Sequence, residues 1–299
     1  MYSQIDSNKR SSVLLMMIFI ALIIALGYIF DQIYGQTGSY AGVGFAIIFS
    51  LGMTVVSYFA GDKIALATSG AKPIEHDDNK YVYHLVENLC ITAGLPIPKI
   101  YLIEDASINA FATGRKPELS SIAITRGAIE KLTNEELEGV IAHELSHVQN
   151  YDIRFMTLVA VMVGAIVILS DIFLRSRWLF GGRRSNDREG GGQLGVILLI
   201  IGVVLAILSP LIAELIKLAI SRRREYLADA SGSLLTRYPE GLASALEKIA
   251  LENQPLRMAS KATAHLFIAN PFGSDKKFTN LFSTHPPIEE RIKKLREMA

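Results

Sequence analysis

Cysteine is almost missing from this chain. Cys90 stands alone among 299 residues, so no intramolecular disulfide can form and the fold does not depend on an oxidising compartment. No C-x-x-C pair points to a cysteine-bound metal, and Cys90 is expected to serve as a small buried apolar residue on a helix. Charge of one sign is also lacking. Lys and Arg number 30 against 29 Asp and Glu, a formal net charge of +1, which leaves no basic excess to hold nucleic acid. There is no internal repeat. The excess lies in hydrophobic residues, 50% of the chain, with a mean hydropathy of +0.32. They are gathered into runs, and that gathering decides the class.

Residues 13–30 form an uncharged apolar run long enough to cross a bilayer. Lys9 and Arg10 precede it, as they would in a signal peptide. The run is longer than an h-region, however, and no small-residue cleavage site follows before Asp31, so an uncleaved membrane helix is expected. Residues 40–60 are a second run, whose Gly42, Gly44 and Gly52 suit close helix packing in lipid. These runs make a first hairpin over residues 1–60. Residues 155–174 and 194–220 make a second, spanning 155–220, with Pro210 expected to kink its last helix. Asp171, Glu214 and Lys217 are expected at the interface, where they pair or snorkel. With the N-terminus inside, Lys9, Arg10, Lys63, Lys72, Arg154 and Arg222 to Arg224 all fall on the cytoplasmic side, as the positive-inside rule requires. Arg175, Arg177, Arg183, Arg184 and Arg188 resist that scheme. Either the second hairpin does not cross fully, or the first helix sets the topology and this loop is tolerated.

The remaining residues, 61–154 and 221–299, read as two halves of one soluble domain. Residues 81–93 have a helical apolar period closed by Gly94 and Pro96. Residues 100–103 and 122–125 predict short strands, and 108–113 a third at a sheet edge. Helices are expected over 221–236, 241–251, 259–269 and 288–298, with a flexible glycine- and charge-rich loop over 181–192.

Chemistry concentrates at residues 140–149, V-I-A-H-E-L-S-H-V-Q. His143 and His147 are four apart, hence on one helical face, about 6 Å apart at Cβ. So placed, two imidazoles can reach one Zn²⁺, and Glu144 on the neighbouring side can act as general base. Six histidines in the whole chain make a chance H-E-x-x-H rarer than about 1%. Thr133 and Glu136 form a capping box ahead of it, and Leu137, Val140, Ile141, Leu145 and Val148 supply an apolar stripe. A catalytic zinc needs a third protein ligand. Glu225 in R-R-R-E-Y-L-A-D is the candidate, with Asp229 one turn later able to hold a histidine. From spacing alone, a helix face neutralising Arg222 to Arg224 stays open.

H-E-L-S-H at 143–147, S-R-R-R-E-Y-L-A-D-A at 221–230 and S-T-H-P-P-I-E-E-R-I at 283–292 resemble the HtpX family of membrane-embedded zinc metalloproteases, related to the CAAX-prenyl endopeptidases. The I-N-A-F-A-T-G stretch and the two-hairpin layout extend the resemblance over nearly the whole chain. It implies one Zn²⁺ per chain bound by His143, His147 and Glu225, with Glu144 as catalytic base and Asp229 in support. It implies a place for His285 near the site, stabilising an oxyanion; taken alone, His285 could equally cap a helix. The family's activity is quality control of damaged or misfolded membrane proteins under stress.

The expected fold is therefore mainly α with a small β-sheet, a gluzincin-like metalloprotease domain fused to two transmembrane hairpins. The expected protein is a multi-pass endopeptidase of the cell (inner) membrane with a cytoplasmic active site. Its expected partners are polypeptide substrates, membrane proteins among them, and the lipid bilayer. Asn109, Ala110, Phe111 and Ala112 are expected to pair with an extended substrate by strand addition, against the alternative of an ordinary strand with Phe111 in the core. A helix continuous from His147 into residue 155 would hold the metal within about 20 Å of the bilayer. Two other functions remain open on the residues alone: a zinc hydrolase of lipid-like substrates, and a membrane scaffold or chaperone with a vestigial metal site.

Overall fold

The computed structural model describes residues 2–34, 40–180, 222–252, 254–258, 260, 262–273 and 286–298. The second arm of the second hairpin, with Pro210, Glu214, Lys217, Arg183, Arg184, Arg188 and the 181–192 loop, lies outside them, as does His285. Asp171, Arg175 and Arg177 lie on a described helix, but their side chains are not described.

Helices α1 (Tyr2–Tyr34) and α2 (Ala41–Thr68) fold back on one another. A Cβ on Gly27 would stand 2.7 Å from the Gly42 carbonyl oxygen, so glycine at this crossing lets the two backbones touch. Asp31 then closes the hairpin. Its carboxylate accepts the Gly42 and Val43 N–H groups, each at 2.8 Å, at the positive N-terminal end of α2. Gly44 and Gly52 face open space and take no part in the packing expected of them. Among the described residues two helical segments, Gln4–Ile29 and Ala41–Thr68, are long and apolar enough to span a bilayer. Leu14, Met17, Phe45, Ile48 and Phe59 stay exposed on them, an arrangement water would penalise and lipid would not.

Strands β1 (Ala71–Pro73), β2 (Lys99–Ile103), β3 (Ala110–Gly114) and β4 (Ser120–Thr125) form one sheet in the order β1-β2-β4-β3. The β2–β4 pair is parallel and the other two are antiparallel. The three expected strands are present, with β3 at an edge. β1 is an addition: three residues ending in proline carry no periodicity to read. Helix α3 (Lys80–Ala93) is capped by Asn79, ends at Gly94 with φ 65°, and buries Cys90 with Val82, Val86 and Leu89 against the sheet. Helix α4 (Arg126–Lys131) leads into α5 (Asn134–Gln149), whose Thr133–Glu136 capping box is formed on both sides.

Helix α5 does not run on into α6 (Asp152–Phe180). The chain breaks at Asn150–Tyr151, where Tyr151 takes φ 60°, a left-handed conformation unusual for an aromatic residue. Asn150 and Asp152 are poor helix formers that favour helix ends, and contacts from α1 hold the break in place. From Ile153 to Ile166 the α6 side chains are largely buried, against α1 and α2 on one side and against the sheet and Leu266 and Phe267 on the other. The chain returns through α7 (Arg222–Thr236), α8 (Pro239–Glu252) and α9 (Ile288–Arg296). Among the described residues of the helix expected over 259–269, no α-helix forms. Those residues instead hold a 3₁₀ turn at Ala264–Leu266, and the main chain beyond it lies along β3, where the Ile268 N–H donates to the Ala110 carbonyl at 3.0 Å.

Candidate active site

Helix α5 is almost wholly enclosed, and its buried residues include His143, Glu144 and His147. Helix α7 crosses it closely because Gly232 has no side chain: a Cβ there would lie 3.0 Å from the His143 nitrogen. That approach carries Glu225 and Asp229 to the histidines. His143 Nε2 and His147 Nε2 are 3.2 Å apart, and the Glu225 carboxylate oxygens lie 3.8 and 3.7 Å from them. Ligands held about 2.0–2.1 Å from a tetrahedral ion stand roughly 3.3 Å from one another. The three groups therefore fit around one cation with little adjustment.

What faces the histidines from behind supports the same reading. His143 Nδ1 lies 2.9 Å from Asp229 Oδ1, and His147 Nδ1 lies 3.0 Å from Asp152 Oδ2. Each carboxylate holds the ring proton on Nδ1, so both Nε2 lone pairs point at the same place. Two lone pairs and a carboxylate aimed together repel unless a metal ion, or a proton on one of the rings, lies between them.

The ionisation of the cluster follows from burial and these neighbours. Burial pushes His143 down to about 4, against the opposing pull of Asp229. Burial would also lower His147, but the Asp152 hydrogen bond and the Glu225 charge outweigh it and push that ring up to about 9. Glu144 is raised to about 7, chiefly by desolvation, although the Ala112 N–H donates to it. Below pH 9 a proton on His147 therefore competes with a metal ion. Zinc affinity should rise about tenfold per pH unit between pH 7 and 9 and then level off. Chelator competition across that range would check it, and a flat profile would contradict the assignment.

A family model described as Peptidase family M48 matches residues 76–299. The chain belongs to that family. An M48 relative from Caldanaerobacter subterraneus, "Protease HtpX homolog", is 45% identical over all of this chain and 98% of its own length. A relative of the same description from Syntrophobacter fumaroxidans is 47% identical, covering 98% of this chain and 99% of its own. The solved Ste24p of S. mikatae aligns over 99% of this chain and 66% of its own at a TM-score of 0.48 and 19% identity, a likeness too low to weigh here. M48 membership makes the chain a metalloprotease, and its HtpX-type relatives with the two apolar helices make it a membrane protein. A peptidase is thereby favoured over a lipid hydrolase or a scaffold.

Of the residues named from sequence, the structure brings His143, Glu144, His147, Glu225 and Asp229 together. Asn109 to Ala112 pass beside Glu144, with Phe111 fully buried and stacked edge-on against Phe267 at 4.9 Å. The outer edge of β3 is engaged along its length: the Ala110 carbonyl by the Ile268 N–H, the Ala112 N–H by Glu144, and the Gly114 N–H by Thr157 Oγ1 at 3.3 Å.

Three residues escaped the sequence reading. Arg291 on α9 is 1% exposed and grips Asp229 with two hydrogen bonds of 2.7 and 2.9 Å. It was legible in part, since Ile288 and Leu295 place it on the apolar face of its helix. Asp152 lies only five residues past His147, but its contact depends on the break at Tyr151. Asn8, which meets Asp152, carries no sequence signal at all.

Proposed function

We propose that this chain is a zinc endopeptidase of the cell membrane that cleaves damaged or misfolded membrane proteins at the cytoplasmic face, with zinc bound by His143, His147 and Glu225. The observation that supports it most is the convergence of both Nε2 atoms and the Glu225 carboxylate, within 4.8 Å of one another, beside Glu144.

A zinc ion held by His143, His147 and Glu225 would supply Lewis acidity to the scissile carbonyl and to the attacking water. Glu144 accepts the proton of the water whose oxygen adds to the carbonyl carbon, and passes it to the nitrogen as the C–N bond breaks. A base pushed up to about 7 by burial is matched to that exchange near neutrality. Asp229 and Asp152 keep both imidazoles in the tautomer that presents Nε2. The β3 edge at Asn109–Ala112 carries the substrate backbone, and the bonds that Ala110 and Ala112 now make to Ile268 and Glu144 exchange as it docks. His285 completes the reading as the oxyanion donor implied by the HtpX resemblance.

The cytoplasmic assignment follows from charge. Asn8, at the start of α1, meets the α5–α6 junction beside the site, and Lys9, Arg10, Lys63, Arg154 and Arg222 to Arg224 belong to the same side. Residues 1–60 and 155–220 serve as membrane hairpins, and 61–154 with 221–299 as the two halves of the protease domain.

Detergent-purified protein should hold one zinc per chain and digest casein, and a chelator should abolish the digestion. Glu225→Ala should carry little zinc. Undiminished metal in that variant would mean that another group fills the third corner.

A further inference from the structure

The two histidines are braced differently. Behind His143, Asp229 is held by Arg291, a residue of the soluble domain. Behind His147, Asp152 is held by a residue of the first membrane span. The Asn8 side-chain amide donates to Asp152 Oδ1 at 2.6 Å and to the Asn150 carbonyl at 2.9 Å, using both of its N–H groups. Asn8 lies within the Gln4–Ile29 span, is 5% exposed, and stands 144 positions from Asp152 in the chain. The same end of α1 touches the residue between those partners, because the Lys9 ammonium sits 4.5 Å from the Tyr151 ring centroid. Tyr151 carries the left-handed φ that ends α5 and turns Asp152 back toward His147.

We infer that Asn8 is a positioning residue for the metal site: the first membrane helix, through Asn8–Asp152–His147, holds one zinc ligand in its binding orientation. The inference rests on the reading that His143, His147 and Glu225 hold zinc. Asp152 Oδ2 accepts the His147 ring proton, and Asn8 occupies Oδ1, so the carboxylate cannot turn without breaking a buried hydrogen bond. Metal affinity thereby becomes a property of how α1 is seated, and a chain whose first span is displaced should hold its ion less tightly. A helix that only anchored the protein would need no amide at this position, since apolar packing with α2 and α6 already holds α1 in place.

The test uses the full-length chain in detergent, with zinc affinity measured by competition with a chromophoric chelator and thermal unfolding recorded with and without zinc. Asp152→Asn should weaken zinc binding about 10- to 100-fold, and Asn8→Ala, one step further out, about tenfold. The double variant should bind no more weakly than Asp152→Asn alone, because both act through one path. Asn8→Gln should recover part of the loss. Ser12→Ala, which removes only a bond to the Asn8 main-chain carbonyl, should bind as the wild type does. If Asn8→Ala fails to fold, the isosteric Asn8→Asp removes the same donor and should lower affinity further through charge repulsion. Wild-type zinc affinity in a folded Asn8→Ala or Asn8→Asp chain overturns the inference. So does an Asn8 effect that adds in full to that of Asp152→Asn, or a lower unfolding temperature with an unchanged zinc-induced increment. Absence of zinc from the wild type would instead overturn the metal reading, and this inference with it.

Discussion

Glu144→Gln should leave the protein folded and zinc-loaded while its turnover of unfolded protein falls about 10²- to 10⁴-fold, the range for removal of a positioned general base. The substitution keeps the shape of the side chain and removes only its capacity to take a proton. None of the three converging metal-binding atoms belongs to Glu144, so metal content should stay at the wild-type value. Loss of a buried, partly ionised carboxylate could even raise stability slightly, since burial disfavours its charged form. The measurement is kcat on a denatured protein substrate beside zinc per chain. Cleavage that persists at the wild-type rate would remove Glu144 from the mechanism.

Arg291→Leu should be the most destabilising single change near the site, at about 3–5 kcal/mol, the usual cost of stripping one partner from a buried ion pair. The guanidinium is fully enclosed, donates twice to Asp229, and reaches the Ile268 carbonyl at 3.1 Å. Without it, Asp229 is a buried carboxylate left with His143 as its principal partner. The acid side of the stability profile should move as well. Burial alone would raise the Asp229 pKa, but Arg291 and His143 override it and hold the carboxyl at about 2, below its ordinary 3.8. That stabilisation is present above pH 3.8 and is lost as pH falls through about 2. In Arg291→Leu the loss should begin at higher pH, and zinc affinity should drop because the His143 ring is no longer held. Thermal unfolding of the metal-free variant across pH 2–6 would show the destabilisation and the shifted acid limb, and chelator competition the weaker zinc binding; an unchanged unfolding temperature would mean that the pair adds nothing to the fold.

The first two apolar helices were legible because a run of that length suits a bilayer span, and the α5 motif because i, i+4 spacing fixes a face before any packing occurs. The capping box was equally local, with donor and acceptor three residues apart. Local signals failed where a partner came from far away. Residues 259–269 have helical composition, yet among the described ones the chain past Leu266 is drawn to the β3 edge through the Ile268 N–H and the Ala110 carbonyl. A helix running on from α5 into α6 would have been straight, but the chain breaks at Tyr151, where Asn8 and Lys9 meet it. Gly42 lies at a helix crossing and Gly44 does not, a distinction set by rotation about α2 that composition cannot carry.

Sequence alone marked the candidate metal ligands and the membrane segments of this protein: two imidazoles and a carboxylate on one helical turn, beside apolar runs long enough to cross a bilayer. Those are short-range facts, settled by 3.6 residues per turn and by transfer of side chains out of water. Tertiary structure alone decided how the site is held. Glu225 reaches the histidines because α7 can touch α5 at Gly232, and each imidazole keeps its orientation through a carboxylate braced from a distant helix, Arg291 in one case and Asn8 in the other. Buried polar groups must find partners wherever the chain brings them, and sequence separation places no limit on where a partner comes from.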